Sequence, residues 1–500
     1  LIDKGVEPNN VTVIQGRTYQ PEDGTPLCRK YKAAEKFGES GVSTYKSLCR
    51  NDAGEQCEYF EGCAYLAQYK PSTQVRIYTH AHLPLKRGLL DKELPKFAII
   101  DESFWKEMID EKTTSLENIS YYIKSSKLAN CINNALKKNK PLLKHLRLKY
   151  GDEIENAINK AIKSISRHYP DIQPNESEEQ ITSALTPEFK KSRIIKLLLQ
   201  QLLAELNLPQ DRDDSITVRY NGKKVIIAHR KTMTRFTTKQ DDEGDVNHVP
   251  VLCADANFCK DIVKLFLPGI KSKTVHVKRK AVVTQIYSNT GARSRYIPYG
   301  NVSAADSKIA TNCNKHLEDV QLVINNLDTQ HSKLLVVTYK ALLKPKDGLP
   351  MLTIPNGCES IHFGRLRGID TFSDCDAVIV IGRHQIPVHA VESIAACLWW
   401  DSDDELKLTG ERHQEVRGYR LVNGNKKGVK VMTCGDPRAQ MVMEQLRECE
   451  SLQAVDRVRL MHNDVKKHVY LMSNLPLNID VDHLIKWKDM ISGGSRIEQI

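Results

Sequence analysis

The chain has 500 residues, 40% hydrophobic and 27% charged, a balance that predicts a globular protein with more than one domain. No stretch approaches the roughly 20 consecutive apolar residues that a membrane span needs, and the first residues lack the pattern of a secretory signal, so we expect no membrane partner. The net charge of +11 fits a polyanionic partner, and ordinary surface charge that keeps the protein soluble fits it equally well. An odd number of cysteines, 13, indicates a reducing, cytoplasmic location.

The first 102 residues combine short β-branched runs with a segment that has no periodic pattern. Strands are predicted at residues 11–14 and 75–79. The intervening segment, residues 21–69, is rich in glycine, cysteine and charge, which predicts a small loop-rich module. Residues 97–100 form an apolar run that ends in Asp101 and Glu102, a pattern typical of a buried strand in a parallel sheet.

Residues 103–247 have a mainly helical pattern, and they include a predicted hairpin at 216–228 with Asn221-Gly222 as its turn. From residue 248 onward, strands and helices alternate. Strands are predicted at 249–254, 281–287, 334–338, 377–381 and 468–472, and helices at 258–266, 307–327 and 441–450. This alternation predicts α/β layers with mainly parallel sheets.

Asp101 and Glu102 have the form of the acidic motif that serves nucleotide hydrolysis. The aspartate can hold Mg²⁺ against the β- and γ-phosphates, and the glutamate can orient or deprotonate the attacking water. In isolation the pattern is short, and a strand that simply ends in two solvated acids fits it as well. The neighbouring motifs therefore decide its meaning.

Four of the cysteines fall within 36 residues, at Cys28, Cys49, Cys57 and Cys63, and are separated by 20, 7 and 5 residues. Four thiolates this close together can bind a metal or a cluster. Structural zinc sites usually contain tight Cys-x-x-Cys pairs, which are absent here, so the spacing favours an iron–sulfur cluster, with zinc as the alternative. The segment has too little apolar content to fold without such a staple.

Two later segments carry residues suited to phosphate binding. Residues 364–370 form a glycine-rich loop before the apolar run at 377–381. Residues 453–459 place Gln453, Arg457 and Arg459 on a predicted helix, from which an arginine can reach a phosphate. By itself the second segment also fits a solvated amphipathic helix.

The order of these elements resembles the superfamily 2 DNA helicases of the XPD/DinG type over roughly residues 16–476. It runs four cysteines, Asp101-Glu102, a helical insertion, Cys253-Ala-Asp-Ala256, Gly368-Ile-Asp370 and Gln453-x-x-x-Arg-x-Arg459. The resemblance implies an α/β fold class with two RecA-like motor domains, a cysteine-rich metal-cluster insertion and a helical arch-like insertion. It implies a first motor domain in two parts, a partial one at 1–102 that contains the cysteine module and an end at 248–270. The helical insertion at 103–247 lies between these parts. The second motor domain follows at 271–476, and a C-terminal extension at 477–500.

The resemblance also implies ATP as substrate, with Mg²⁺ and a 4Fe-4S cluster as cofactors. Asp101 and Arg457 should then face one cleft between the motor domains. The implied catalytic residues are Asp101, Glu102 and Arg457, the nucleotide-binding residues are Gly368, Asp370, Gln453 and Arg459, the coupling residues are Asp255 and Ala256, and the cluster ligands are Cys28, Cys49, Cys57 and Cys63.

The sequence departs from the family's pattern in several places. Ser103 follows the Asp-Glu pair where the family has Ala-His, Asp456 stands where it usually has glycine, and Arg459 comes one residue earlier than its second arginine. No G-x-x-x-x-G-K-[ST] phosphate loop occurs in the sequence. In the family that loop precedes the cysteines, so we expect the first motor domain to begin upstream of Leu1 and this chain alone to turn over little or no ATP.

The function implied is that of an ATP-dependent DNA helicase with 5′→3′ translocation in replication or repair, from a bacterial or mobile-element system. A monomeric motor would act on single-stranded or forked DNA, with replication or repair proteins as further partners. Basic runs at 137–149 and 271–280 suit a nucleic-acid backbone, although solvated helix faces look alike. The alternative is a metal-stapled nucleic-acid-binding module that does not hydrolyse ATP. A zinc-containing primase or nuclease part would need a further acidic cluster.

Overall fold

The computed structural model describes residues 5–492 except 23, 41–43, 71–72, 86–94, 168, 210–211, 236–248, 299–307, 345–349 and 462. The chain forms two compact units, Leu1–Ile270 with Ala396–Leu406, and Lys271–Ala395 with Lys407–Ile500. The architecture is mixed α/β with parallel sheets, which confirms that part of the prediction. None of the helices in the described ranges is long and apolar enough to cross a membrane.

The first unit combines short strands with a long helical segment. Its strands are β1 (Val11–Val13), β2 (Val75–Ile77), β3 (Ala98–Asp101), β4 (Ile109–Thr114), β5 (Val218–Tyr220), β6 (Val225–Arg230) and β7 (Val251–Ala254). Its helices are α1 (Tyr31–Ser40), α2 (Thr44–Leu48), α3 (Ala64–Ala67), α4 (Leu116–Tyr122), α5 (Ser126–Lys137), α6 (Leu142–Tyr150), α7 (Ile154–Ser166), α8 (Glu178–Ala184), α9 (Pro187–Leu206) and α10 (Lys260–Val263).

Both predicted insertions lie between neighbouring parallel strands. β1 pairs with β2, and β3 pairs with β7. Parallel neighbours require a long crossover, which here is the cysteine module in the first case and the helical segment in the second. Gln15 and Gln68 close the base of the cysteine module, because the Gln15 backbone N–H donates to Oε1 of Gln68 at 2.8 Å. The module therefore leaves and re-enters the unit at one place.

The strand before Asp101 is less buried than its apolar run predicts. Ile100 is 3% exposed, but Ile99 is 65% exposed and Phe97 is 52% exposed. Within the described residues, β3 and β7 form a two-stranded sheet, and so do β1 and β2. The expectation of a strand buried on both faces is therefore wrong for β3, because its alternate side chains have no second layer over them there.

The helical segment has its own core and a three-stranded antiparallel sheet in the order β4-β6-β5. Apolar residues of α4 to α7 and α9 pack together with β5 and β6. Side-chain caps begin several helices. Ser177 and Gln180 form a capping box at α8, and Thr186 caps α9 directly before Pro187. These start signals explain why the segment divides into separate helices.

Residues 396–406 belong to the first unit through two arginines of the helical segment. The Arg230 guanidinium pairs with the Asp401 carboxylate, with Nη1 3.0 Å from Oδ1. Arg212 donates to the carbonyl oxygens of Trp400 and Ser402. The predicted single span 271–476 is thus interrupted, because these contacts hold residues 396–406 in the other unit.

The second unit is built on a parallel sheet. Its strands are β8 (Ala281–Ile286), β9 (Leu334–Thr338), β10 (Cys358–His362), β11 (Ala377–Val380), β12 (Arg412–Gly418), β13 (Arg420–Leu421), β14 (Gly428–Cys434), β15 (Lys467–Leu471), β16 (Asp480–Val481) and β17 (His483–Ile485). Its helices are α11 (Lys308–Gln330), α12 (Lys340–Leu343), α13 (Val388–Leu398, whose last residues join the first unit), α14 (Pro437–Asp456) and α15 (Trp487–Ile491).

The strand order in the main sheet is β10-β9-β11-β15-β8-β17, and all pairs are parallel. β9 and β11 are buried along their whole length, as expected for apolar runs covered on both faces. The unit begins at Lys271, at the predicted boundary, whereas the boundary at 247/248 lies outside the described residues. Within the predicted C-terminal extension, β17 pairs with β8 inside this sheet, and residues 493–500 lie outside the described residues.

Candidate functional site

The four cysteines of the first unit line one small cavity. Cys28, Cys49, Cys57 and Cys63 all border it, together with Arg17. The sequence brings them there by different routes. Cys28 precedes α1, Cys49 follows α2, and Cys63 directly precedes α3. Backbone hydrogen bonds fix the spacing, because Cys57 N–H donates to the Cys49 carbonyl at 2.9 Å. All four predicted ligands therefore border one cavity.

Arg17 is a further member of this cavity. Its Nη2 lies 3.2 Å from Sγ of Cys49, and its Nη1 lies 3.6 Å from Sγ of Cys28. The guanidinium also lies over the Tyr65 ring, 4.1 Å from the centroid. At Cys49 this cation lowers the pKa of the thiol and so favours its thiolate form. The sequence assigned no role to Arg17, and its position shortly before a cysteine-rich segment is the signal that could have identified it.

Burial opposes ionisation of the thiols. It raises the pKa of Cys49, and the adjacent Arg17 only partly offsets this effect. Burial also raises the pKa of Cys57, and the neighbouring thiols of Cys28 and Cys63 raise it further. Without a ligand, Cys49 and Cys57 are therefore expected as neutral thiols at neutral pH, and ligand binding there would release protons.

The four cysteines have the chemistry to hold an iron–sulfur cluster, which is surrounded by sulfur ligands. Four sulfur donors border a common space, and two of them, on Cys28 and Cys49, are at most 6% exposed. Within the described ranges, no three His, Cys, Asp or Glu side chains lie close enough together to hold a single metal ion. An iron–sulfur cluster binds its cysteines at separate corners, so it does not require them to meet at one ion.

The acidic pair of the first unit lies beside the predicted coupling residues. Asp101 ends β3 in register with Ala254, the last residue of β7. The Glu102 backbone N–H donates to the Ala254 carbonyl at 2.8 Å. Asp255 and Ala256 follow directly, so the carboxyl ends of two parallel strands bring both predicted groups to one edge. Carboxylate oxygens at such an edge are suitable Mg²⁺ ligands.

The backbone at Glu102 is in the left-handed region, with φ of 60°. Among the described non-glycine residues, positive φ occurs at Glu102, Asn139 and Arg459. This conformation costs a non-glycine residue about 1–2 kcal/mol. Such outliers concentrate at functional sites, and two of these three are residues that the sequence assigns to the nucleotide.

In the second unit the fold joins the two predicted phosphate motifs. Nη1 of Arg457 donates to the Ile369 carbonyl at 2.7 Å, and Nε of Arg459 lies 2.6 Å from Oδ1 of Asp370. Gly368 has φ of 66°, a conformation that glycine allows at this turn. The Asp370–Arg459 pair is exposed at both ends, so it contributes little stability and a phosphate can compete for the arginine.

Gln453 lies one helical turn before Arg457. Its backbone carbonyl accepts from Nε of Arg457 at 3.3 Å. The side chain is 8% exposed, and its Oε1 has no hydrogen-bond partner among the described residues. A buried amide oxygen without a partner is costly, so this atom is suited to accept a hydrogen bond from a ligand or a water.

This arginine group lies where the strands begin, away from their carboxyl ends. Leu460, next to Arg459, accepts a backbone hydrogen bond from Lys280, which precedes β8. Nucleotides usually bind at the carboxyl ends of parallel strands. A group that contacts a phosphate held elsewhere, as an arginine finger does, is not limited to that edge.

Comparisons of the chain with protein-family models, with curated proteins and with solved structures give no match. The functional assignment therefore rests on the residues of this chain and on their contacts.

Proposed function

We propose that the chain acts as an ATP-driven helicase of the XPD/DinG type on single-stranded or forked DNA, in replication or repair. The observation that supports this best is the contact between residues of two motifs that are far apart in sequence. Arg457 and Arg459 bond to Ile369 and Asp370, a sequence separation of 88 and 89 residues. A 5′→3′ polarity, a monomeric motor and a cytoplasmic location remain predictions from the resemblance.

The residues of the first unit suit metal-assisted phosphate chemistry. Asp101 would hold Mg²⁺, which neutralises phosphate charge when bound, and Glu102 would orient the attacking water. The fixed backbone at Glu102 keeps its carboxylate at the end of β3, because its N–H is bonded to Ala254. Asp255 directly follows β7, the strand that pairs with β3, and its Oδ1 accepts from the Asn257 N–H at 2.8 Å. It would couple hydrolysis at Asp101 and Glu102 to movement along DNA.

The four cysteines would hold the 4Fe-4S cluster, with zinc as the alternative. A bound cluster would link parts of the module covalently, in addition to the apolar core that Phe37, Leu48 and Leu66 form with residues of α8 and α9. Arg17 would donate to two of the ligating sulfurs. The expectation that Asp101 and Arg457 face one cleft stays a prediction.

A second function is favoured by one observation. The 500 residues contain no phosphate loop, the element that cradles the phosphates of ATP in motors of this kind. A chain without that loop would be a metal-stapled nucleic-acid-binding module that does not hydrolyse ATP.

The test uses the protein encoded by the whole open reading frame that contains these residues. Glu102→Gln should lower DNA-stimulated ATP hydrolysis about a hundredfold or more while nucleotide binding is kept, since proton transfer by a positioned group contributes about 10²–10⁴-fold. Glu107→Gln, a change of an exposed acid nearby, is the matched control. Retained turnover in Glu102→Gln would remove this residue from the chemistry. A reading frame without a phosphate loop, and a wild-type protein without ATPase activity, would favour the binding module.

A further inference from the structure

The helical segment contains an open groove whose charged lining is basic. It runs between α5 and α6 and encloses about 710 Å³ of space that includes open solvent. Its floor includes the buried thiol of Cys131, which is 5% exposed. The polar lining includes Lys127, Lys138, Lys140 and Lys149, with Asn134 and His145. Carboxylates are absent from its lining, so the four ammonium groups there repel one another.

The local structure explains why the lysines meet. α5 ends at Lys137, Asn139 adopts a left-handed φ of 49°, and α6 begins at Leu142. The short turn makes α5 and α6 antiparallel neighbours. Lys127 and Lys149 therefore lie toward one end, and both lower the pKa of the Cys131 thiol, which burial raises. Lys138 and Lys140 belong to the turn at the other end.

The groove is long enough for more than one anionic group. Lys127 and Lys138 are 11 residues apart along α5, which corresponds to about 16 Å at 1.5 Å per residue. Phosphates of a nucleic-acid strand follow one another more closely than that, at about 3.4 Å along the axis of a B-form strand. Charges spread along a groove suit a strand better than one free phosphate, which needs its donors at one point.

Only part of the basic run seen in the sequence belongs to this groove. Lys144 pairs with Asp213 at 2.9 Å, and Arg147 donates to the Arg212 carbonyl, so both side chains are engaged in the fold. Lys127 lies outside that run and joins the groove through the helix pairing. The structure thus separates Lys144 and Arg147 from the four lysines that line the groove, of which Lys127 also contacts the Tyr150 ring, with Nζ 4.6 Å from its centroid.

We propose that the α5–α6 groove binds the phosphate backbone of single-stranded nucleic acid. The choice of nucleic acid as the occupant rests on the proposed function, whereas the preference for an anion rests on the groove itself. The contacts are to phosphates, so binding is independent of base sequence and weakens with salt.

The test measures binding of a fluorescent oligothymidylate to the full chain without ATP, over a range of salt concentrations. The groove variant replaces four lysines by glutamine: Lys127→Gln, Lys138→Gln, Lys140→Gln and Lys149→Gln. The control makes the same charge change on exposed lysines of the same segment: Lys137→Gln, Lys160→Gln, Lys163→Gln and Lys190→Gln. Because all eight lysines are exposed, both variants should fold, which circular dichroism and thermal unfolding check.

The groove variant should lose about tenfold or more in affinity, and the slope of log K against log salt should become shallower by about 3, since each lost single-strand phosphate contact removes about 0.7. The control should change the slope by less than about 1. Equal losses in both variants would overturn the proposal, because general charge would then explain binding. Groove-dependent binding of inorganic phosphate or triphosphate that oligothymidylate does not displace would also overturn it.

This result is separable from the fate of the proposed function. Glu102→Gln leaves the groove untouched, so it should bind the oligonucleotide as the wild type does even where hydrolysis is lost. Groove-dependent binding in a protein that never hydrolyses ATP would reject the motor and keep the groove. If the wild type hydrolyses ATP and the groove variant binds the oligonucleotide as tightly as the wild type, the groove proposal would be rejected and the motor kept.

Discussion

Replacing Arg17 by methionine tests the cysteine cavity most directly. The change removes the donors that lie 3.2 Å from Sγ of Cys49 and 3.6 Å from Sγ of Cys28, and keeps an unbranched apolar stem over Tyr65. Hydrogen bonds to ligating sulfurs and nearby positive charge both raise the reduction potential of an iron–sulfur cluster. Arg17→Met should therefore make the potential more negative.

The magnitude follows from the number of bonds. A hydrogen bond to a charged group contributes about 1.5–3 kcal/mol, and we take about 1 kcal/mol of this as the difference between the oxidised and reduced states. Two bonds give about 2 kcal/mol, and about 1.4 kcal/mol corresponds to 59 mV for one electron. The expected shift is therefore about 90 mV toward more negative values.

The assay is a redox titration of anaerobically reconstituted protein, followed by absorbance and by paramagnetic resonance of the reduced cluster. Arg17→Lys, which keeps the charge, should shift the potential less. Arg50→Met is the matched control, since Arg50 is an exposed arginine of the same module. In the apo-protein, Arg17→Met should also slow alkylation of Cys49, because Arg17 lowers the pKa of that thiol.

An unchanged potential at equal cluster content would refute the role given to Arg17. A wild-type protein that takes up zinc and no iron would reject the cluster itself, and the alkylation rate would then still test the Arg17–Cys49 contact.

Two further predictions concern the second unit. Gly382→Ala should destabilise the protein by about 2–4 kcal/mol, because a Cβ there would lie 2.5 Å from the Tyr339 ring and φ is 88°. The control is Gly410→Ala, where φ is 71° and the space around the residue is open, and it should cost only about 1–2 kcal/mol. Equal urea midpoints for the two variants would contradict the steric argument. Asp436 is 3% exposed; burial alone would raise its pKa, but hydrogen bonds from Arg438 and the Lys407 N–H hold the pKa below the ordinary value. A depressed carboxyl pKa stabilises the fold above the unfolded pKa, so Asp436→Asn should lower the unfolding midpoint at pH 7. The difference should begin to shrink near the unfolded pKa of about 4 and be lost only as the pH falls through the lower folded pKa. A pH-independent difference would contradict the charge argument.

The strands of the second unit are the part that the sequence predicts best. β9 has the predicted bounds, Leu334–Thr338, and β11 differs from prediction at one end only. Both are apolar runs buried on both faces, which leaves a strong local signal. The pair β12 and β14 was missed, because β12 is mostly exposed and its residues, Arg-His-Gln-Glu-Val-Arg-Gly, have no apolar alternation. Its pairing depends on a partner strand ten residues further along the chain.

The residues of the candidate site likewise divide into those that the sequence predicts and those that it does not. Asp101 was predictable as a strand-end residue because the apolar run at 97–100 precedes it, and parallel pairing brings it beside Ala254. The expectation that Arg457 and Arg459 lie on a helix is wrong, because α14 ends at Asp456 and Arg459 has φ of 57°. Arg17 and Lys127 were not predictable as site residues, because their roles depend on a loop fold and a helix pairing that no local pattern encodes. The exposed face of β3 was missed for a related reason, since an apolar run does not reveal which layers cover it.

The cysteine module and the helical segment share a buried contact that gives the four thiols a structural consequence. Lys30, 2% exposed and two residues after Cys28, donates from Nζ to the Pro174 carbonyl at 3.0 Å and to the Glu176 carbonyl. Oε1 of Glu178 accepts from the Lys32 N–H at 2.8 Å, so the start of α8 also caps the start of α1. A buried ammonium group without its carbonyl partners is costly, so this geometry persists only while the chain around Cys28 is fixed. The apolar core also holds α8, because Ile181 packs there with Ala33 and Phe37. A bound cluster would therefore reinforce the position of α8 by fixing the chain around Cys28, whatever its redox state.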